Sequence, residues 1–245
     1  MNDFADAIEF IFRSRESQTG GVEIGGSQLL DLLGKHLELS AVSMLLAVLV
    51  AVPLGLVIGH TGRGAFLAQF IANAGRAVPS LALIAFFVAY VGVGFTNVTL
   101  ALVLLAIPPI LGNTYVGVRQ VSPDVVDAAR GMGLTELQVL RRVELPLAVP
   151  TMFGGIRNSA INVVATATIA PLAGVVTLGD PIINASVYGD AGRLGAAIVV
   201  AVLAVLAELL FAMLQRRVTP RGIRSPDRRA PQVRPSSSRK VSVTP

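Results

Sequence analysis

The sequence predicts an all-α protein that crosses a membrane about five times. Hydrophobic residues make up 53% of its 245 residues and charged residues only 14%, and the mean hydropathy is +0.70. Soluble domains carry about a quarter charged residues. The apolar residues also form long runs, and Leu39–Gly59 and Val98–Val118 contain no formal charge. Because a helix needs about 20 such residues to cross the hydrocarbon core, these runs predict spanning helices.

Apolar runs of sufficient length occur at intervals along the chain. The predicted spans are Leu39–Gly59, Phe66–Gly92, Val98–Val118, Leu147–Val176 and Leu194–Leu214. Pro79 lies within the second run and is expected to kink its helix. The second and fourth runs are longer than the bilayer is thick, so they must tilt, bend or project, or one of them divides in two. The sequence therefore also allows a polytopic protein with six spans.

The basic residues predict the orientation. If the C-terminus is cytoplasmic and the chain has five spans, most of its 20 lysines and arginines lie on the cytoplasmic side. This distribution agrees with the positive-inside rule and gives an N-out, C-in topology.

The two ends of the chain are predicted to lie outside the membrane domain, which covers residues 37–218. Residues 1–36 form a polar N-terminal extension without a span. Residues 219–245 form a basic cytoplasmic tail that is rich in proline and serine and is predicted to be disordered. A short interfacial helix leading into the first span is predicted by the spacing of Leu29, Leu32, Leu33 and Leu37.

The segment between the third and fourth spans is predicted to form a rigid cytoplasmic elbow of two helices. Ser122-Pro123 is typical of a helix start, and Gly133 suits the left-handed residue that ends a helix. Thr135 and Gln138 have the spacing of a capping box, and Pro146 is expected to bend the chain into the fourth span. From the residues alone, an amphipathic interfacial hairpin is the alternative. The second helix is expected to bury Leu137, Leu140 and Val143.

The elbow resembles the EAA loop of ATP-binding cassette importer permeases, here residues 122–146. Asp127-Ala128-Ala129 is followed by three residues and Gly133, and nine further residues lead to Val143-Glu144-Leu145-Pro146. The family pattern is an acid-Ala-Ala triplet, a glycine, and then an aliphatic residue, any residue, Leu and Pro at the same spacing. The chain departs from it only in having Asp for Glu and Val for Ile.

The resemblance extends over roughly residues 30–224 to the glycine betaine, carnitine and choline branch of these permeases. The stretches that carry it are "AVPSLALIAFF", "PPILGNTYVGV", "LPLAVPTMFGGIRNS" and "RRVTPRGI". The stretch "AGVVTLGDPI" departs from the branch, which usually has a run of glycines before Leu-Gly-Asp.

The resemblance implies a permease subunit of an ATP-driven importer for a quaternary-ammonium osmoprotectant, in a bacterial plasma membrane. Two permease subunits, identical or paralogous, would form the pore, two ATP-binding subunits would each receive a coupling helix, and an extracytoplasmic protein would deliver the solute. ATP and Mg²⁺ would bind to the ATP-binding subunits. The implied coupling-loop residues are Asp127, Ala128, Ala129, Gly133, Leu134, Val143, Leu145 and Pro146.

The residues themselves argue against an enzyme. A phosphate-binding P-loop needs Gly-Lys followed by Ser or Thr, whereas Lys35 precedes His36 and Lys240 lies in the tail. The chain has no cysteine, and a whole span separates His36 from His60, so we expect no metal site and no cofactor. No aromatic cluster is evident, so a cage for a quaternary ammonium group is expected on the binding protein.

Polar residues within the predicted spans are candidates for the pathway or for interior bonds. Glu208 is expected to pair with Arg76 or with Arg157, and Gly55 and Gly59 have the G-x-x-x-G spacing of closely packed helices. The complete set of polar candidates is Arg76, Arg157, Asn158, Asn162 and Glu208.

Other functions stay open at this stage. A permease of the same kind for another small solute, such as an amino acid, is one alternative. A gradient-driven secondary transporter or channel is another, but it needs an acidic relay for which Glu208 alone is thin support, and it leaves the capped elbow unexplained. A membrane scaffold without transport activity is the last.

Overall fold

A computed structural model describes residues 3–75 and 77–219, in which helices dominate. Arg76 and the predicted tail beyond Thr219 lie outside these residues, and so does any pairing of Arg76 with Glu208. Two segments adjoin α-helices without being α-helical themselves, a π turn at Leu140–Glu144 and a 3-10 helix at Ala167–Ala173. The other elements are α1 Asp3–Phe12, β1 Ser14–Glu16, β2 Glu23–Gly25, α2 Ser27–Thr61, α3 Ala65–Ala74, α4 Ser80–Val91, α5 Phe95–Arg119, α6 Pro123–Gly131, α7 Glu136–Val139, α8 Leu145–Thr166, α9 Asp180–Ile183 and α10 Ala185–Val218.

The described helices support the polytopic α-helical fold. By length and composition, α2, α5 and α10 are apolar enough to cross a membrane. The fourth predicted run forms the 22-residue α8. It does not continue as an α-helix to Val176, because the chain tightens into the 3-10 helix at Ala167, and Gly174 then adopts a left-handed conformation.

The second predicted span is broken rather than kinked. It consists of α3, which ends at Ala74, and α4, which begins at Ser80, and Pro79 is the extended residue before α4. Proline has no backbone N–H, and its ring disfavours helical geometry in the residue before it. The single kinked helix was therefore wrong, and the alternative that one of the long runs divides in two holds for this run.

Helix α5 is the centre of the fold and packs against α2, α3, α4 and α8. Small residues let the backbones approach closely at these contacts. A Cβ atom built on Gly55 would lie 2.6 Å from Cβ of Thr114, and one on Gly59 would lie 2.7 Å from Cβ of Val118. A Cβ atom built on Gly155 of α8 would lie 2.7 Å from Cβ of Asn113. The predicted close packing at Gly55 and Gly59 is thus present, and its partner is α5.

The N-terminal extension folds into a cap that the sequence did not predict, formed by α1 and the antiparallel β1–β2 hairpin. The cap packs on α10, where Phe10 contacts Gly192 and Gly195. The predicted interfacial helix is instead the first part of α2, which is continuous from Ser27 into the span. Its leucines Leu29 and Leu32 are buried because Phe10, Ile24, Leu178 and Tyr188 cover them.

A pair of glycine substitutions in α2 tests the packing on α5. We expect Gly55→Ala to destabilise the protein by about 1–3 kcal/mol, because the new methyl group overlaps Thr114. Gly34→Ala is the matched control, since no atom lies within 4 Å of its Cβ position, and its better helix propensity is worth up to about 1 kcal/mol. Thermal unfolding of the purified protein in detergent measures both. Equal shifts in Tm for the two variants would contradict the packing.

Candidate functional site

The elbow, residues 122–146, turns at Gly133 as the sequence predicted. Gly133 has φ +86°, a left-handed conformation that favours glycine, and a Cβ atom there would meet nothing within 4 Å. The backbone N–H of Gly133 donates to the carbonyl of Arg130 at 2.9 Å, and that of Leu134 donates to the carbonyl of Ala129 at 3.2 Å. Glycine is therefore required here by the backbone and not by crowding.

The second half of the elbow begins as predicted but ends differently. The side chain of Gln138 accepts a hydrogen bond from the backbone N–H of Thr135 at 2.9 Å, which is one half of a capping box. The chain passes Pro146 without a break between elements, because α7, the π turn and α8 follow one another directly, and the bend at Pro146 stays a prediction. In the π turn, the N–H of Leu145 donates to the carbonyl of Leu140. This wider turn accommodates the proline ring in the first turn of α8.

The small core of the elbow consists of Val126, Ala129 and Val139, with Leu134 and Val143 packed against it. The prediction that Leu137 belongs to this core was wrong, because its side chain is 55% exposed. Val139 takes its place. Val139 and Val143 lie four residues apart, so they share a helical face that does not include Leu137.

Several apolar side chains of the elbow face outward. Met132 is 76% exposed, Val125 and Leu137 are also exposed, and Ala128 lies beside them on the exposed part of α6. We call Val125, Ala128, Met132 and Leu137 the apolar tip. Sequence reasoning missed Met132 and assigned Leu137 to the core, although apolar residues on either side of the Gly133 corner are a readable signal.

Charged side chains tie the two halves of the elbow together. Arg130 donates two hydrogen bonds to the carboxylate of Glu136, at 2.9 and 3.0 Å, and a third to Asp127 at 3.3 Å. The hydrogen bond from Arg130 holds the pKa of Glu136 below its usual value and raises the pKa of Arg130 itself. Asp127 thus contacts its own helix, and its carboxylate remains largely exposed.

A second set of polar contacts joins the elbow to the end of α2. Nδ1 of His60 lies 2.5 Å from Oε2 of Glu144, and Nε2 lies 3.2 Å from Oε2 of Glu136. Glu144 is only 5% exposed. A cavity of about 160 Å³ adjoins this contact and is lined in part by Arg119, Asp127 and Arg130. Neither His60 nor Glu144 was a predicted site residue.

Of the polar candidates within the spans, Arg157 and Glu208 form an ion pair. Nε of Arg157 donates to Oε2 of Glu208 at 2.8 Å, and its Nη2 contacts the other carboxylate oxygen. Gln215 joins them, since its side chain accepts from Arg157 at 3.4 Å and donates to the carbonyl of Pro150 at 2.9 Å. Gln215 follows Glu208 by seven residues, so the helical spacing could have indicated it.

Asn158 and Asn162 do not join this cluster. Both are exposed and lie one turn apart on α8, and Thr151 is on the same stripe two turns earlier. The structure therefore divides the predicted polar residues of α8 between a bonded interior position at Arg157 and an exposed polar stripe at the asparagines.

The remaining expectations concern metals and aromatic residues. Within residues 3–75 and 77–219, no three His, Asp or Glu side chains are placed to hold a metal ion.

The expectation that aromatic residues do not cluster was wrong for α4. The ring centroid of Phe86 lies 5.6 Å from that of Phe87 and 4.7 Å from that of Tyr90. The three rings come together because Phe86 and Tyr90 are one helical turn apart.

Comparison with known families gives a match over most of the chain. Residues 51–221 match the family described as binding-protein-dependent transport system inner membrane component. The glycine betaine/carnitine/choline transport system permease protein OpuCB of Bacillus subtilis (strain 168) is 36% identical over 203 residues, which are 82% of this chain and 94% of that protein. The carnitine transport permease protein OpuCB of Listeria monocytogenes is 38% identical over 200 residues, covering 81% and 92%.

A third relative has a similar identity, and a solved structure agrees on the fold. The osmoprotectant import permease protein OsmY of Salmonella typhimurium is 35% identical over 207 residues, covering 82% of this chain and 87% of that protein. An inward-facing structure of the MetNI methionine ABC transporter matches with a TM-score of 0.68 and 22% identity, covering 78% of this chain and 96% of that one. At this identity the structural likeness shows the fold alone.

Removing the charges of Arg157 and Glu208 tests whether their contact stabilises the protein. We expect Arg157→Leu and Glu208→Leu each to lower stability, because the surviving charge loses its partner within a membrane-spanning helix. The double variant Arg157→Leu/Glu208→Leu should recover much of this loss. Thermal unfolding in detergent gives the double-mutant cycle. Additive effects of the two single substitutions would show that the pair contributes no interaction.

Proposed function

This chain belongs to the family of binding-protein-dependent transport system inner membrane components, and from this premise we propose its specific role. It is the permease subunit of an ATP-driven importer for a quaternary-ammonium osmoprotectant such as glycine betaine, choline or carnitine. It forms half of a pore with a second permease subunit, and an extracytoplasmic binding protein delivers the solute. ATP and Mg²⁺ bind to the two ATP-binding subunits.

The observation that carries the proposal is the continuity of the elbow with α8. From α7 through the π turn to Thr166 the chain follows one helical path. We infer that a displacement applied to the elbow is transmitted to α8 along this path. The apolar tip supplies the contact surface for an ATP-binding subunit, since clustered exposed apolar side chains outside the membrane are typical of protein interfaces. Asp127 adds an exposed charge beside it.

The exposed polar stripe of α8 supports a pathway on that face. Asparagine side chains facing hydrocarbon without a partner cost several kcal/mol, roughly 4–8 by transfer into an apolar solvent. Asn158 and Asn162 are exposed in the single chain. We infer that they face the pathway or the second permease subunit, whereas Arg157 fixes α8 to α10.

The substrate class follows from the relatives. Permeases named for glycine betaine, carnitine and choline are 36–38% identical to this chain over four-fifths of its length, whereas the methionine transporter is 22% identical. The osmoprotectant assignment is therefore favoured over an amino acid. A gradient-driven relay is disfavoured because Glu208, the acid that it would use, is already paired with Arg157.

Co-purification and uptake test the proposal. The chain is purified from a membrane that also contains the proteins encoded by the neighbouring genes. The complex is then reconstituted in proteoliposomes with its binding protein. We expect an ATPase and a second permease subunit to co-purify, and labelled glycine betaine uptake to require ATP inside the vesicles. Unlabelled choline or carnitine should compete better than methionine. Solute flux by the chain alone that persists without ATP would favour a channel or secondary transporter.

Two neighbouring glycines test whether the shape of the elbow matters for coupling. Gly133→Ala forces a side chain into a left-handed conformation, at a cost of about 1–2 kcal/mol, and should alter the corner. We expect ATP hydrolysis to continue with strongly reduced uptake. Gly131→Ala, at the end of α6 with no atom near its Cβ position, is the matched control and should transport normally. Normal uptake per ATP in Gly133→Ala would exclude this role for the corner.

A further inference from the structure

We propose that α1 is an interfacial helix, and that an apolar stripe along it lies in the lipid on the side of the membrane away from the elbow. Phe4, Ile8 and Phe12 form this stripe, which we call the α1 stripe. Its partner is the boundary between the headgroups and the acyl chains of a bilayer. The proposal depends on the membrane fold and not on the identity of the solute.

The first two faces of α1 are apolar, and one of them is exposed. Successive residues of an α-helix are about 100° apart, so residues four apart lie nearly above one another. Phe4, Ile8 and Phe12 have this spacing and are exposed, Phe12 at 77%. Ala7 and Phe10 are buried and lie on a second face, which packs on the rest of the protein.

The third face of α1 is charged and exposed. It carries Asp6 and Glu9, and Arg13 follows just after the helix. Nη1 of Arg13 donates to Oε1 of Glu9 at 3.0 Å, and both side chains are mostly exposed. At about 100° per residue, the α1 stripe lies between the buried face and this charged face. A helix on a membrane surface beside a protein needs these three faces, because it contacts protein, lipid and water at once.

The point at which α1 crosses α10 lies at the border of the predicted span. A Cβ atom built on Gly195 would lie 2.9 Å from Cδ1 of Phe10 and 3.0 Å from the carbonyl oxygen of Ala7. Arg193 comes just before this crossing, and the next charged residue of α10 is Glu208. The uncharged part of the last span thus begins where α1 crosses it. Amphipathic helices at this height bury their apolar face at the boundary of headgroups and acyl chains.

The first long helix shows that α1 and the elbow lie on opposite sides of the membrane. Just before α2, the backbone N–H of Gly26 donates to the carbonyl of Phe10 at 3.0 Å. Near its other end, His60 contacts Glu144 of the elbow. The helix has 35 residues, which at a rise of 1.5 Å per residue extend over roughly 50 Å. The N-out topology that the basic residues predict puts α1 at the extracytoplasmic surface.

The shape of the α1 stripe favours lipid over a protein partner. Phe4 and Phe12 are eight residues apart, roughly 12 Å along the axis, so the stripe runs along most of the helix. A helix that lies in the plane of the interface presents such a stripe with charged residues beside it. A soluble binding protein or a second copy of the chain could also cover apolar side chains, and the experiment below separates these occupants.

Lipid contact at α1 also acts on the start of α10. Nη2 of Arg15 donates to the carbonyl of Tyr188 at 2.9 Å, and the backbone N–H of Gln18 donates to the carbonyl of Val187 at 3.0 Å. These bonds join the segment that follows α1 to the residues just before Gly189, where α10 is interrupted. The cap thus links the lipid surface to this interruption.

Tryptophan fluorescence tests the proposal, because the chain has no tryptophan and a single introduced one reports its own surroundings. The full-length variants Phe4→Trp and Phe12→Trp place it on the α1 stripe. Asp6→Trp is the matched control on the charged face, and all three positions are exposed. Each variant is reconstituted in phosphatidylcholine vesicles, with or without bromine on the acyl chains near the headgroup. Acrylamide on both sides of the membrane measures contact with water.

We expect brominated lipid to remove most of the emission of Phe4→Trp and Phe12→Trp, because interfacial helices bury their apolar face about 5–10 Å into the boundary region. Lipid that carries bromine near the ends of its acyl chains should quench both variants less. Emission of Asp6→Trp should resist brominated lipid and be quenched by acrylamide.

Two outcomes would overturn the proposal. Quenching of both stripe variants by acrylamide but not by brominated lipid would show that the stripe faces water, where a soluble protein can reach it. Emission at short wavelength that neither reagent quenches would show that a second copy of the chain covers the stripe. Neither outcome involves transport, so failure of this proposal is distinct from failure of the proposed function.

Discussion

The close packing of α5 against its neighbours is the constraint on which the rest of the structure depends. Backbone groups of spanning segments bond within their own helices, so the helices must be held together by packing, and small residues allow it. Gly55 and Gly59 seat α2 on α5, and Gly155 seats α8 on the same helix. With both helices fixed to α5, the end of α2 and the start of α8 meet at His60 and Glu144.

That meeting point explains why the elbow can be rigid although its own core is small. Val126, Ala129 and Val139 provide only a few buried contacts. The bonds of Arg130 to Glu136 close the Gly133 corner, and the contact from His60 attaches the whole unit to the membrane core. Surface ion pairs contribute little alone, roughly 0–1 kcal/mol. The buried carboxylate of Glu144 is therefore the more consequential partner.

Local signals in the sequence predicted much of the fold, and tertiary contacts account for what it did not. The apolar runs located the spans, and Gly133 and Gln138 located the elbow, because these depend on neighbours in the chain. The π turn before Pro146 was not predicted, and Leu137 was placed on the wrong face of its helix. The cap stayed unseen because Phe10 finds its partners in α10, far along the sequence. His60 and Glu144 are also distant in the sequence, 84 residues apart.

The two ends of α10 are held in different ways, and this bears on how a displacement of the elbow is used. At the inner half, Glu208 and Gln215 bond α10 to Arg157 and Pro150 of α8, so these helices move together. At the outer end, α10 has a left-handed residue at Gly189 (φ 68°), beside which the Gln18 side chain of the cap is packed. A non-helical residue interrupts the regular bonding of a helix and is a common cause of a kink. The cap thus holds α10 where its helix is interrupted, whereas α8 holds the half that carries Glu208 and Gln215.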